Sequence, residues 1–432
     1  MPGRVTAMDL HQTLPAPLRI EADYLLETVI DPRRAAEIMA GEQSSGTFVP
    51  VPGETPELKE RSAARIERLD LLDDAVDAPS LPSAGTAPSA RPRRARVTLS
   101  WPLDNLGPSL PNLLATVAGN LFELKPVTGL RLLDIRLPAA FAQAYPGPRF
   151  GIAGTRRLAG VEGRPLIGTI VKPSVGFGPA ETAALVATLC AGGIDFIKDD
   201  ELQADGPHCP FDARVRAVMR VVNAHADRTG KKVMVAFNLT GDLDQMRRRH
   251  DLLVAEGATC LMASLNSVGL VGMIELGRFS ALPIHAHRNG WGYLSRHPLL
   301  GWSYVAWQKI WRLAGADHMH VNGLANKFAE DDASVVASAR TCLTPLFPDK
   351  PCLAMPVFSS GQSVRQAPGT YQALGSTDLI VTAGGGIMAH PGGPAAGVAA
   401  LREAWEAAVA GIPLDAYARE RPNLQSALGA AA

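Results

Sequence analysis

The run Gly193-Ile194-Asp195-Phe196-Ile197-Lys198-Asp199-Asp200-Glu201 puts a lysine and two carboxylates where they could meet. On a β-strand alternate residues share a face, so Lys198 and Asp200 point the same way, and Glu201 follows where the strand gives way to loop. Such a cluster suits a hard divalent cation such as Mg²⁺, which takes oxygen ligands and keeps some of its waters. Lys198 is a poor ligand as an ammonium. If its amine takes up CO2 as a carbamate, the cluster loses a positive charge and gains an anionic oxygen. The same residues could instead form a plain Lys–Asp ion pair capping the strand.

A second lysine ends the segment Gly168-Thr169-Ile170-Val171-Lys172-Pro173. Desolvation on an apolar strand and a nearby cation would both lower its pKa, toward the range in which an amine exchanges protons with a carbon acid. A salt bridge at the rim is the structural alternative. Two histidine pairs follow, His285/His287 before Arg288 and His318/His320, each spaced to share a strand face. Zinc could use such pairs, but no metalloprotease spacing or cysteine partner accompanies them, so anion binding or proton transfer by His287, Arg288 and His320 is the better reading. Glycines after late strands, in Ser359-Ser360-Gly361 and Gly384-Gly385-Gly386, offer backbone N–H groups to a phosphate.

These residues need a scaffold that brings strand ends together. From about Gly163 short apolar strands alternate with amphipathic helices, as in PLIGTIVKP then AETAALVATLCAGG. With KKVMVAFNL, DFIKDD, CLMASL, LPIHAH, HMHVN, CLAMPV and LIVTAG the strand candidates number eight, the count of a closed (β/α)8 TIM barrel. An open doubly wound sheet is the alternative. Lys172, Asp200, Asn238, His287, His320, Ser359 and Gly384 all sit at C-terminal strand ends, where barrel active sites lie.

Upstream, IEADYLLETVI, ARIERLDLLDD and RARVTLSWPLD read as strands and DPRRAAEIMAGEQ as a helix, giving a smaller ferredoxin-like α+β domain over residues 1–145 ahead of a barrel over 146–432. Between two of those strands the Ala-, Pro- and Ser-rich stretch near 75–95 reads as a flexible hairpin insertion. The 432 residues carry 42 basic and 42 acidic side chains, so bulk charge points to neither nucleic acid nor membrane and leaves a small metabolite as the expected partner. Five scattered cysteines suggest reduced core thiols, and no apolar run approaches the ~18 residues of a membrane span; a cytoplasmic protein is expected.

Taken in order, GTIVKP, GGIDFIKDDE, HAHR, DHMH, PVFSSG and GGG resemble the large subunit of Rubisco. The likeness extends upstream through Glu42-Gln43-Ser44-Ser45-Gly46-Thr47-Phe48 and Ala118-Gly119-Asn120-Leu121-Phe122, from about residue 20 to 425. It implies that Lys198 carries the CO2-derived carbamate and ligates Mg²⁺ with Asp200 and Glu201, and that Lys172 transfers protons. It further implies that Thr47, Gly361, Gly384 and Gly385 bind one phosphate, with Ser359 beside them, while Arg288 and His320 hold the other end of the substrate. His287 and Lys327 would be catalytic. Glu42 and Asn120 would cross from a neighbouring subunit, so a homodimer is the smallest catalytic unit implied.

Departures from the carbon-fixing members point away from CO2 fixation. Ser174 stands where they carry a second lysine, Trp291 where they carry a histidine and Phe48 where they carry a tryptophan. The loop Asn322-Gly323-Leu324-Ala325-Asn326-Lys327-Phe328 keeps its lysine without the surrounding glycine pattern. This is the pattern of Rubisco-like proteins, which resemble one another in forming an enediolate on a phosphorylated sugar-type substrate. Retention of Lys327 favours decarboxylation of a β-keto sugar acid phosphate, as in members acting on 3-oxo-isoapionate 4-phosphate, because a cation can hold the departing carboxylate. An enolase or isomerase of a methylthio-pentose phosphate in methionine salvage is the alternative enzyme, and a catalytically silent binding protein the alternative class.

Overall fold

The computed structural model describes residues 18–46, 51–73, 77–85, 87 and 89–429. The chain divides into two compact units, Met1–Thr128 with Ile135–Pro138, and Gly129–Asp134 with Ala139–Ala432.

The first unit contains β1 (Arg19–Thr28), a helix over Pro32–Glu42, β2 (Arg65–Leu72), β3 (Arg93–Pro102), a helix over Leu110–Ala118, and the ends of β4 (Val127–Arg136). The strands run in the order β4-β1-β3-β2, and β3 is antiparallel to both β1 and β2. That βαββαβ succession and order make the expected ferredoxin-like domain. Ile20, Ala22, Tyr24 and Leu26 alternate along β1 and are fully buried, the period-2 signature of a sheet with one face covered. Asp31 starts the first helix by accepting from the Arg33 and Arg34 amides.

The insertion between β2 and β3 differs from expectation in its described part. The Ser80 amide and hydroxyl both donate to the Glu27 carboxylate at 2.8 Å, and the Leu81 amide donates to the Thr128 carbonyl. Glu27, fully buried on β1, also accepts from Arg94 and Thr128. A buried carboxylate needs such donors, and the insertion supplies two of them, so it is tied to the sheet here. Composition marked the stretch as unable to form a core but not as able to cap a charge.

The second unit is built on β5 (Leu166–Ile170), β6 (Phe196–Lys198), β7 (Met234–Asn238), β8 (Cys260–Ser264), β9 (Ile284–His287), β10 (Leu300–Trp302), β11 (His318–His320), β12 (Met355–Phe358) and β13 (Ile380–Thr382). All but β10 close a parallel barrel in the order β11-β12-β13-β5-β6-β7-β8-β9, which rules out the open sheet. β10 instead pairs with residues Leu130–Leu132 of β4. Leu166, Phe196, Met234, Met262, Val357 and Ile380 belong to one buried cluster, so the barrel is packed rather than hollow. Helices link the strands, among them Pro179–Ala191, Phe211–Thr229 and Gly393–Ala410.

Alternation along β6 divides its charges between two tasks. Asp199 turns away from Lys198 and pairs with Arg214, both buried. Asp195, at the other end of the strand, accepts from Arg164, Lys231 and the Ile167 amide. These pairs hold the barrel wall and leave Lys198 and Asp200 to its mouth.

Candidate active site

A cleft of about 1090 Å³ opens at the C-terminal ends of the barrel strands. Lys172, Lys198, Asp200, Glu201, His287, Arg288, His320, Lys327, Ser359, Gly361, Gly384 and Gly385 all line it. The structure thus gathers every site residue expected from the barrel. Glu42 and Asn120 lie in the first unit, where the Asn120 amide donates to Glu42 at 2.9 Å. Thr47 and Phe48 fall outside the described residues.

Lys198 is 1% exposed, and its Nζ donates to the Asp199 carbonyl at 2.8 Å and to Glu201 at 3.4 Å. Burial holds its ammonium below the usual lysine range, although Glu201 and Asp200 pull the other way. A lysine so placed presents more free amine, the form that takes up CO2. Asn238 fixes the backbone of the two acidic residues by donating its amide to the Asp200 and Glu201 carbonyls at 3.3 and 3.2 Å. Among the described residues no cluster of three or more His, Cys, Asp or Glu is placed to hold a metal ion. Two carboxylates are an incomplete set for a hard cation, and a carbamate on Lys198 is the third anionic oxygen donor the site can make. With it the residues fit such an ion.

Lys172 donates to Asp200 Oδ2 at 2.7 Å and to the Ser174 hydroxyl at 2.6 Å. Burial pushes the Asp200 carboxyl up, but the Lys172 contact and the Leu202 amide outweigh it and hold the group below its ordinary range. The ion pair that the sequence left open is therefore present, at the entrance to the carboxylate cluster. The Lys172 side chain is 40% exposed, so it is less desolvated than its apolar strand suggested. Ser174 takes the place of the missing second lysine as an acceptor that aims Lys172.

His287 stands 3.5 Å from Glu201, and burial followed by the Lys198 charge pushes it down to about 4, so it is neutral near pH 7. Arg288 is buried over the Tyr304 ring at 4.8 Å and donates to Glu330 at 2.6 Å. Trp291 packs against Tyr304 and Trp307, building an aromatic wall beside that arginine. Glu330 escaped the sequence reading. It follows Lys327 by three residues and its carboxylate also accepts from Asn322 and Ser334. Lys327 is exposed at the cleft, with its Nζ 5.3 Å from the Phe328 ring centroid. A Cβ at Gly384 would lie 3.7 Å from Lys172 Cε, so the Gly384 α-carbon borders that lysine.

The description "Ribulose bisphosphate carboxylase large chain, catalytic domain" matches residues 151–430, and the N-terminal domain of the same chain matches residues 23–141. The chain belongs to the Rubisco large-chain family. This Rubisco-like chain is 64% identical to "3-oxo-isoapionate-4-phosphate transcarboxylase/hydrolase" of Xanthobacter autotrophicus, over 95% of this chain and 99% of that one. It is 47% identical to "3-oxo-isoapionate-4-phosphate decarboxylase" of Rhizobium etli, over 95% and 98%. A crystal structure of a rubisco-like protein from Burkholderia fungorum superimposes with a TM-score of 0.89 at 52% identity, covering 95% of this chain and 99% of that one.

Proposed function

We propose that this Rubisco-like chain removes the carboxylate of 3-oxo-isoapionate 4-phosphate or a close β-keto sugar acid phosphate. The observation that carries the reading is 64% identity along 95% of the chain to a relative named for that substrate. In the reaction, the bond between the carboxylate carbon and its neighbour breaks and the electron pair moves into the adjacent ketone as an enediolate. CO2 leaves, and Lys172 Nζ, steadied by Asp200 and Ser174, returns a proton to carbon. Lys327 at the cleft mouth holds the departing carboxylate, and the Gly361, Gly384 and Gly385 amides receive the phosphate. A Mg²⁺ ion held by Asp200, Glu201 and a carbamate on Lys198 would stabilise negative charge on the substrate oxygens.

A second reading keeps the same first step but passes the carboxyl group to another carbon and hydrolyses the product, which the name of the 64% relative favours. The relatives' names favour carboxyl chemistry over isomerisation of a methylthio-pentose phosphate. Four ionisable residues gathered in one cleft, Lys172, Lys198, Asp200 and Glu201, support catalysis over silent binding. The reading includes a homodimer, supported by the family likeness, and a cytoplasmic setting, supported by five free and buried cysteines.

Lys327→Ala provides the test. Loss of the carboxylate should slow by roughly 10²-fold, the size of other charge-assisted contacts in closed sites. Solvent deuterium exchange into the decarboxylated product should fall far less. Equal loss of both would overturn the reading.

A further inference from the structure

Three buried histidines form a continuous chain through the barrel interior. His318 Nε2 lies 2.8 Å from Thr155 Oγ1, His318 Nδ1 lies 3.4 Å from His285 Nδ1, and His285 Nε2 lies 2.7 Å from His320 Nε2. His320 Nδ1 then meets Ser359 Oγ at 3.2 Å, at the cleft wall. His285 and His318 are fully buried, His320 is 4% exposed, and burial pushes the pKa of each ring down, so all three are neutral.

A neutral imidazole has one donor and one acceptor nitrogen, so fixing one end of such a chain fixes every member. The fixed end is Thr155. Its hydroxyl donates to the Gly151 carbonyl at 2.5 Å, and a carbonyl can only accept. Thr155 Oγ1 must therefore accept from His318 Nε2–H. His318 Nδ1 then accepts from His285 Nδ1–H, His285 Nε2 accepts from His320 Nε2–H, and His320 Nδ1 accepts from the Ser359 hydroxyl.

A second chain reaches the neighbouring serine. The Asn322 amide donates to Glu330 at 2.6 Å, which orients its carbonyl oxygen toward Ser360, whose hydroxyl donates to it at 2.9 Å. Both serine protons are thus turned inward. What faces the cleft is a pair of oxygen lone pairs, 3.3 Å apart, which welcomes hydroxyl donors and disfavours phosphate or carboxylate oxygens.

We propose that Thr155, His318 and His285 are positioning residues that set Ser359 as a hydrogen-bond acceptor, so that with Ser360 it selects a substrate carrying free hydroxyl groups at this wall. The proposal deepens the sugar-acid reading above and rests on it only for the choice of ligand. His320, expected from the family likeness to hold the far end of the substrate, has both ring nitrogens engaged within the protein and here acts through Ser359.

Neutron diffraction from crystals of the ligand-free protein tests the chain without any substrate, and so stands apart from the fate of the carboxylate reading. Hydrogen should appear on Nε2 of His318 and His320 and on Nδ1 of His285; hydrogen on Nδ1 of His320 would overturn the proposal. Thr155→Val removes the fixed acceptor and frees the chain to reverse, whereas Thr155→Ser keeps it. A pentitol 5-phosphate should bind the parent and Thr155→Ser roughly tenfold tighter than an analogue in which fluorine, which cannot donate a hydrogen bond, replaces the wall-facing hydroxyl, about the worth of one hydrogen bond. In Thr155→Val that preference should fall to near one. A preference that is absent in the parent, or unchanged in Thr155→Val, would overturn the proposal.

Discussion

Lys198 and its two acidic neighbours illustrate what a single strand can disclose. Alternation alone put Lys198 and Asp200 on one face and Asp199 on the other, and the structure has the first two in the cleft and Asp199 on Arg214. If Lys198 acts as a carbamate, activity should require Mg²⁺ and CO2 together, and Lys198→Met should lower it by at least ~10²-fold without unfolding. Preincubation with and without bicarbonate, beside a thermal melt, checks both parts. Mixing that variant with an inactive Glu42→Gln variant should restore activity if sites are shared between subunits. Other site features were hidden from the sequence. Ser174 read as the loss of a lysine, yet its hydroxyl accepts from Lys172. The histidine chain was invisible because spacing along one strand says nothing about register across strands, and it is the pairing of His318 with His285 that joins the two pairs.

The segment from Asn322 to Asp331 shows the same limit at the level of an element. Its lysine was legible from the family likeness, but the contact that anchors it was not, since Glu330 meets Arg288 across 42 residues of sequence. Asn322 and Ala325 adopt left-handed backbone at φ 68° and 47°, unfavourable for non-glycine residues, and hydrogen bonds to Glu330 and Asp332 hold the turn. Glu330→Gln leaves a buried guanidinium without its carboxylate and should destabilise the protein by about 2 kcal/mol. Arg288→Met combined with it should lose less than the sum of the single changes, by ~1 kcal/mol or more. Denaturant melts of the three variants decide this, and strictly additive values would show that the pair is uncoupled.

Across the whole molecule, both domains were readable because period-2 and helical patterns alternate cleanly along the chain, whereas the capping of Glu27 by the insertion required tertiary contact. The barrel also carries a pH signature. His285, His318 and His320 have folded pKa values depressed by burial, so below about 6.5 the unfolded chain binds protons that the folded chain refuses. Asp317 opposes them, since burial raises it to about 6 and the folded chain takes up its proton first. His287, pushed down to about 4, joins the three, so four against one leaves a net of about three protons, and stability should fall by roughly 4 kcal/mol per pH unit between about 6 and 4.5. Urea melts of the metal-free protein measure the slope, and a protein that gains stability over that range would contradict the burial of the histidine chain. The central claim, that this cleft breaks the bond to a carboxylate, is tested most directly with 3-oxo-isoapionate 4-phosphate labelled with ¹³C at that carboxylate, followed by ¹³C NMR with Mg²⁺ and bicarbonate present. The account predicts that the label leaves its carbon, appearing as CO2 or on a new carbon of a hydrolysed product. A label that stays in place while protein, metal and substrate are all intact would contradict it.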